Sequence, residues 1–372
     1  MEANKRLLAL DVFRGITIAG MILVNNPGSW GSVYPPLEHA EWHGCTPTDL
    51  VFPFFLFIVG VAIPLALGKR KERGDDRKSI YLKILRRTVL IFGIGLLLTA
   101  IPRFNLATLR IPGVLPRIAL VYGACSVLFM QTNWKGLVRW SIGLLLGYWA
   151  VMTLVPVPGG YPPNLDPETN LGAWLDRTIF TTDHLWRQSK TWDPEGLLST
   201  FPAIVTGLIG MLTGLWIKTD RDDYRKLTGI FASGVILVAV GLFWNLAFPI
   251  NKKLWTSSYV LYAGGIALLF LGTVYWLVDV QGKKGWIKPF VVYGTNALFA
   301  FVLSGLVAKT LGLIKWTTAA GETQSLGQWI YQSLFLSWLP DYPASLGYAV
   351  LNVLFILGIT WILYSRRIFI RV

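Results

Sequence analysis

Residues 37–60, LEHAEWHGCTPTDLVFPFFLFIVG, run from two histidines, two glutamates and a tryptophan straight into an apolar segment. Between Thr48 and Gly68 the only charge is Asp49. A helix of about 20 such residues, rising 1.5 Å each, covers the roughly 30 Å hydrocarbon layer of a bilayer. The stretch is therefore read as a membrane helix with titratable chemistry at its mouth.

Similar runs recur near residues 7–26, 48–68, 85–102, 114–131, 138–156, 198–217, 227–249, 257–278, 289–311 and 346–365. With 53% hydrophobic residues over 372 positions, the chain has more apolar surface than one compact soluble core can bury. The sequence thus predicts an all-α polytopic membrane protein of about ten transmembrane helices. It is read as a single membrane domain over residues 1–372, with a polar insert at about 157–197. The first run keeps Asp11 and Arg14 near its start and has no small-residue cleavage site, so it is read as a retained helix and not as a signal peptide.

Lysine and arginine set the orientation, because short loops rich in them stay cytoplasmic. With the N-terminus inside, most of the 34 basic residues fall in inner segments: Lys5 and Arg6, the loop GKRKERGDDRKSIYLKILRR, KTDRDDYRK, QGKKGWIK and the RRIFIR tail. The loop from Asn26 to Pro47 holds none. Both termini are then cytoplasmic and the insert is extracytoplasmic. The net charge of +14 sits on the inner face, facing membrane lipid and phosphate-bearing ligands, and is not read as a nucleic-acid signal. The two cysteines, Cys45 and Cys125, do not suggest a disulfide framework.

Asp11 and Arg14 are three residues apart and share a helix face, either as an ion pair that locks packing or as the lining of a polar path from the cytoplasm. Asn25 returns to that face at the outer end. His39 and His43 are four apart, and their spacing alone permits a metal site with Glu38 or Glu41; no further cluster supports it, so no metal is expected. An interfacial histidine without chemistry and a histidine acting as acid or base both fit the position. Other outer helix ends are polar as well, with Arg110 and Arg117 in LRIPGVLPRIALVYG and Asp193 and Glu195 in WDPEGLLST. Capping and interfacial anchoring explain each motif singly.

Taken in order, LDVFRGITIAGMILVNN, HAEWHGCTPTDLVFPFFLFIVG, RIPGVLPRIALVY, DPEGLLST and NKKLWTSSYVL resemble the heparan-alpha-glucosaminide N-acetyltransferase family of transmembrane acyltransferases, from about Leu8 to Tyr262. That resemblance implies transfer of an acetyl group from cytoplasmic acetyl-CoA to the amine of a glucosamine-type sugar across the membrane. It makes His39 the catalytic residue and associates Asn25 with catalysis, whereas His43 does not match the family pattern. It also implies a homodimer. Because the chain begins almost at LDVFRG, it is expected to be a short bacterial-type member of the inner membrane.

On that reading His39 is the general base, Asn25 donates to the acetyl oxygen and Asp49 orients the imidazole. Asp11, Arg14, Arg110 and Arg117 are candidates to hold acetyl-CoA, and Glu38, Trp42, Asp193 and Glu195 to bind the sugar. A membrane transporter, or a non-catalytic sensor for amino sugars or sugar fragments, is the competing class. A transporter should show repeated halves, and the hydropathy pattern shows no clear pairing. Cysteine labelling in intact cells should find Lys71, Asp222, Lys284 and the C-terminus inside, with His39, Trp174, Lys252 and Trp329 outside. Residues 69–83 labelled from outside would invert the topology.

Overall fold

The computed structural model describes residues 7–318 and 321–370; the Lys5, Arg6 and Arg371 charges invoked for orientation lie outside them. In chain order the first helices are α1 (Leu8–Asn25), α2 (Pro47–Arg73), α3 (Arg77–Ala100), α4 (Val114–Gln131) and α5 (Trp134–Leu154). The insert carries the short α6 (Leu171–Phe180), and α7 (Thr200–Ile217), α8 (Asp223–Trp244) and α9 (Ser257–Tyr275) follow. The chain ends through α10 (Lys288–Thr295), α11 (Ala297–Leu313), a hairpin of β1 (Lys315–Thr317) and β2 (Thr323–Ser325), α12 (Leu326–Tyr331) and α13 (Asp341–Ser365).

Among the described residues, 8 helices are long and apolar enough to cross a membrane, or 9 when α10 and α11, bent by 86° at their junction, are counted as one span. The helix α3 is 24 residues long but starts in the charged RKSIYLKILRR segment. These ten segments fall on the ten apolar runs. The charged loop after the second run is shorter than the sequence suggests, because α2 continues to Arg73 and Asp76 caps α3, accepting from the Lys78 and Ser79 amides at 3.1 and 3.0 Å. Exposed apolar side chains such as Leu82, Leu85 and Val89 on α3, and Val235, Ile236 and Phe243 on α8, fit surfaces that meet lipid. Cys45 and Cys125 form no disulfide.

The described chain sorts into two compact units. The first holds residues up to His39, Thr46–Phe52 and the chain from Thr273 onward. Within it α1 and α10 approach backbone to backbone. A Cβ on Gly15 would lie 1.8 Å from the Phe290 carbonyl oxygen, and one on Gly294 would lie 2.0 Å from that of Asp11. No side chain larger than hydrogen fits either contact, which is the small-residue packing that membrane helices use in place of a hydrophobic driving force.

The Asp11–Arg14 pair sits at this contact. Arg14 meets the Asp11 carboxylate at 3.3 Å and donates to the Gly294 carbonyl at 3.2 Å. It thereby caps the C-terminal end of α10, which breaks at Asn296. Buried Asn296 compensates for the break by pairing with the returning tail, donating to the Ile368 carbonyl at 3.1 Å and accepting from the Ile370 amide at 2.8 Å. At the start of α1, which has no local cap, Asp279 accepts from the Leu8 and Ala9 amides at 3.3 and 2.8 Å. In apolar surroundings each such orphan amide would otherwise cost several kcal/mol.

The second unit holds Ala40–Cys45 and Pro53–Gly272. Its centre is again a glycine contact: a Cβ on Gly60 of α2 would stand 2.0 Å from the Gly207 oxygen of α7, and one on Gly210 2.0 Å from that of Phe57. Gly15→Leu and Gly60→Leu should each lower the thermal midpoint of the detergent-solubilised protein, by about 1 to 3 kcal/mol or more of overpacking. Gly143→Leu, at a position where a Cβ meets nothing within 4 Å, should leave it nearly unchanged.

Candidate active site

In the first unit the chemistry gathers on residues 36–49. The segment TPTD begins α2, with proline at its first position and threonine before it, a favourable helix start. Thr46 and Asp49 stand at capping-box spacing, and Asp49 Oδ2 accepts from the Thr46 amide at 3.0 Å. The hydroxyl of Thr46 lies 3.1 Å from the same oxygen and donates to the Glu38 carbonyl at 2.6 Å. Thr48 donates to the Pro36 carbonyl at 3.2 Å. These bonds fold the strand before α2 back over its first turn.

His39 stands on that strand, and its Nδ1 is 2.6 Å from Asp49 Oδ1. The Asp49 side chain is 1% exposed, so its carboxylate is fixed, whereas the His39 side chain is 42% exposed. A carboxylate can only accept, which assigns the proton of a neutral ring to Nδ1 and leaves the lone pair on Nε2. Among the described residues Nε2 makes no hydrogen bond. The arrangement orients a half-exposed imidazole and leaves it one unprotonated ring nitrogen.

The neighbouring histidine is held in the other tautomer. In the second unit the Asn251 side-chain oxygen accepts from the Leu254 amide at 2.8 Å, which identifies its nitrogen as the group 3.4 Å from His43 Nδ1. That nitrogen donates, so His43 carries its own proton on Nε2. Burial lowers the His43 pKa against the opposing charge of Asp166.

The other sequence-predicted residues are distributed between the units. Asn25 ends α1 exposed, and its side chain makes no hydrogen bond among the described residues. Glu38 is exposed beside His39. Trp42 donates to the Leu165 carbonyl at 2.9 Å and packs edge-on against Trp192 at 5.1 Å. Arg110, Arg117, Asp193 and Glu195 come together as one cluster in the second unit. Arg110 reaches both oxygens of Asp193, at 2.8 and 2.6 Å, and Glu195 at 2.6 Å. Arg117, 1% exposed, donates to the carbonyls of Pro194 at 3.1 Å and Gly196 at 2.8 Å and to the Ser199 hydroxyl. One arginine thus holds the side chains of the DPEG loop and the other its backbone.

Electrostatics in this cluster follow from burial. Burial opposes the charge on Arg110, but its hydrogen bond to Asp193 and the charges of both acids outweigh that and raise its pKa. Glu195 is lowered, since Arg110, Lys252 and Arg117 together overcome its burial. Asp176 stands on α6, and burial pushes its carboxyl up to about 7, against the Leu197 amide that donates to it at 2.8 Å. No local pattern announces such a residue, because its neighbours arrive from distant segments. Thr46 had a legible signal, the TPTD capping box.

Residues 6–136 match the family model described as Domain of unknown function (DUF5009). The human protein named heparan-alpha-glucosaminide N-acetyltransferase is 32% identical over 312 residues, 68% of this chain and 46% of the human one. Its mouse counterpart of the same name is 30% identical over 316 residues, 70% of this chain and 47% of its own. The chain spans about half the length of these relatives.

An acid whose folded pKa is raised is most stabilising below its unfolded value, and that contribution is lost as pH rises through about 7 for Asp176. Asp176→Asn keeps an acceptor for Leu197 and removes the titration. Its stability relative to wild type, read from thermal unfolding, should therefore rise between pH 4 and pH 8. A difference independent of pH would contradict the buried, ionising acid. Arg110→Ala strands two buried carboxylates and should cost about 3 to 5 kcal/mol.

Proposed function

We propose that this chain, a homologue of the heparan-alpha-glucosaminide N-acetyltransferase family, transfers the acetyl group of acetyl-CoA to the amine of a glucosamine-type sugar, with His39 as the general base. The observation that carries the reading is the 2.6 Å contact of His39 Nδ1 with buried Asp49, which turns Nε2 outward as a base. Amine attack on a thioester requires the free base of the sugar. His39 Nε2 takes a proton from the attacking nitrogen, and the departing thiolate of CoA receives one, so the products are the acetamide and the free thiol. The imidazolium formed on the way is stabilised by Asp49, whose two oxygens are already held on His39 and Thr46.

Direct transfer within a ternary complex fits a ring this open. An acetyl-imidazole on a side chain 42% exposed would be subject to attack by water. Asn25, exposed at the end of α1, is assigned to the acetyl oxygen, where negative charge develops. Arg14, on the predicted inner half of α1, keeps 26% of its side chain exposed and is assigned to the CoA side together with the basic loops, with Asp11 setting its direction. Arg110 and Arg117 hold the DPEG loop of the second unit through its carboxylates and carbonyls. The donor is cytoplasmic and the acceptor extracytoplasmic in this proposal, with the protein an integral, homodimeric membrane enzyme.

Labelled acetyl transfer from acetyl-CoA to glucosamine by the purified protein tests the activity. His39→Ala should abolish it, and Asp49→Asn, which removes the charge that fixes the tautomer, should lower the rate by about 10² to 10⁴-fold. Asn25→Ala should cost about 10² to 10³-fold. His43→Ala should retain most activity. An active His39→Ala protein would move catalysis elsewhere.

A further inference from the structure

The second unit contains a cleft that the catalytic reading does not use. It is lined by Trp42, Tyr148, Asn170, Asp176, Trp192 and Lys253, and its volume is about 20 Å3, room for a single water-sized group. Asp176 is 3% exposed. Its Oδ1 accepts from Leu197, whereas among the described residues Oδ2 has no hydrogen-bond partner. Space for Oδ2 exists because residue 196 is glycine, where a Cβ would lie 2.0 Å from it. When Asp176 is ionised, this acceptor without a donor calls for a hydroxyl or an ammonium.

The surrounding charges decide between the two. Arg110, Arg117 and Lys253 balance Asp176, Asp193 and Glu195 one for one, and Lys252 adds a further positive contribution at Glu195. No net negative charge remains to attract an ammonium. Trp42 and Trp192, half-buried and 5.1 Å apart, stand at the same cleft, with Lys253 Nζ 5.9 and 5.7 Å from their rings. Indoles beside polar groups suit a ring that is apolar on its faces and hydroxylated on its edge.

We propose a subsite for a neutral pyranose unit here: the cleft takes one hydroxyl, on Asp176 Oδ2, and the ring stays outside it against Trp42 and Trp192. The inference rests on the reading of the acceptor as a sugar. The DPEG loop and α6 form the subsite together, since Leu197 and Gly196 both fix Asp176.

The test is ligand-observed NMR on the detergent-solubilised full chain with N,N′-diacetylchitobiose, a neutral disaccharide with no amine to acetylate. Binding is expected, and Asp176→Ala and Trp192→Leu should each weaken it by about 3- to 10-fold, the loss of one hydrogen bond or one ring contact. Trp338→Ala, at an indole 69% exposed in the first unit, should not change it. Circular dichroism on each variant checks folding, and two substitutions on different segments keep the test open if one fails to fold. The proposal is overturned if the wild type does not bind the disaccharide, if both folded variants bind as well as wild type, or if glucosamine competes better than N-acetylglucosamine. Since the probe cannot be acetylated, failure here leaves the transfer reaction standing, and absence of transfer leaves the subsite standing.

Discussion

One carboxylate performs two tasks at the start of α2. Asp49 Oδ2 takes the Thr46 amide that would otherwise be an orphan donor of the helix, and Oδ1 takes the His39 ring. The helix therefore cannot be capped in this way without the imidazole being oriented too. Burial of Asp49 makes the arrangement stiff, because an ionised carboxylate removed from water is tolerated only with its acceptor positions filled. The negative end of this dyad also lies in the first turn of a helix, where the dipole favours it.

Elsewhere the protein meets the same demand with the same economy of polar groups. In the first unit Arg14 closes the end of α10 while paired with Asp11, Asn296 closes the break before α11, and Asp279 caps α1. In the second unit two arginines fix the DPEG loop, one through carboxylates and one through carbonyls. Glycines let the backbones come close enough for these short side chains to reach, as at Gly294 and Gly207. Arg117, a candidate for acetyl-CoA in the sequence, holds backbone carbonyls of the DPEG loop.

Hydropathy was enough to place the eight helices that are long and apolar enough to cross a membrane, because such a helix must be apolar along its length and tolerates few exceptions. It could not show that the run at 289–311 breaks by 86° at Asn296, since a polar residue inside an apolar run reads the same whether it pairs with a neighbouring helix or with a returning tail. His39 and Asp49 were legible as candidates from their position at the mouth of α2 and from the motif resemblance, but their contact depends on the fold of residues 36–48. Asp176 was one acid among several in the insert, because its perturbation comes from burial against α6 and the DPEG loop, which no local pattern encodes. Arg110 and Glu195 were seen as separate helix-end charges, and only the tertiary structure joins them.

Nitrogen-15 NMR of the three histidines tests the central dyad most directly, since the tautomer of each ring can be read from its nitrogen shifts. At a pH where His39 is neutral, its Nδ1 should carry the proton and its Nε2 should show the shift of an unprotonated ring nitrogen, with His43 in the opposite tautomer. Asp49→Asn should erase the His39 preference. A His39 ring protonated on Nε2 in the wild-type protein would contradict its role as the base.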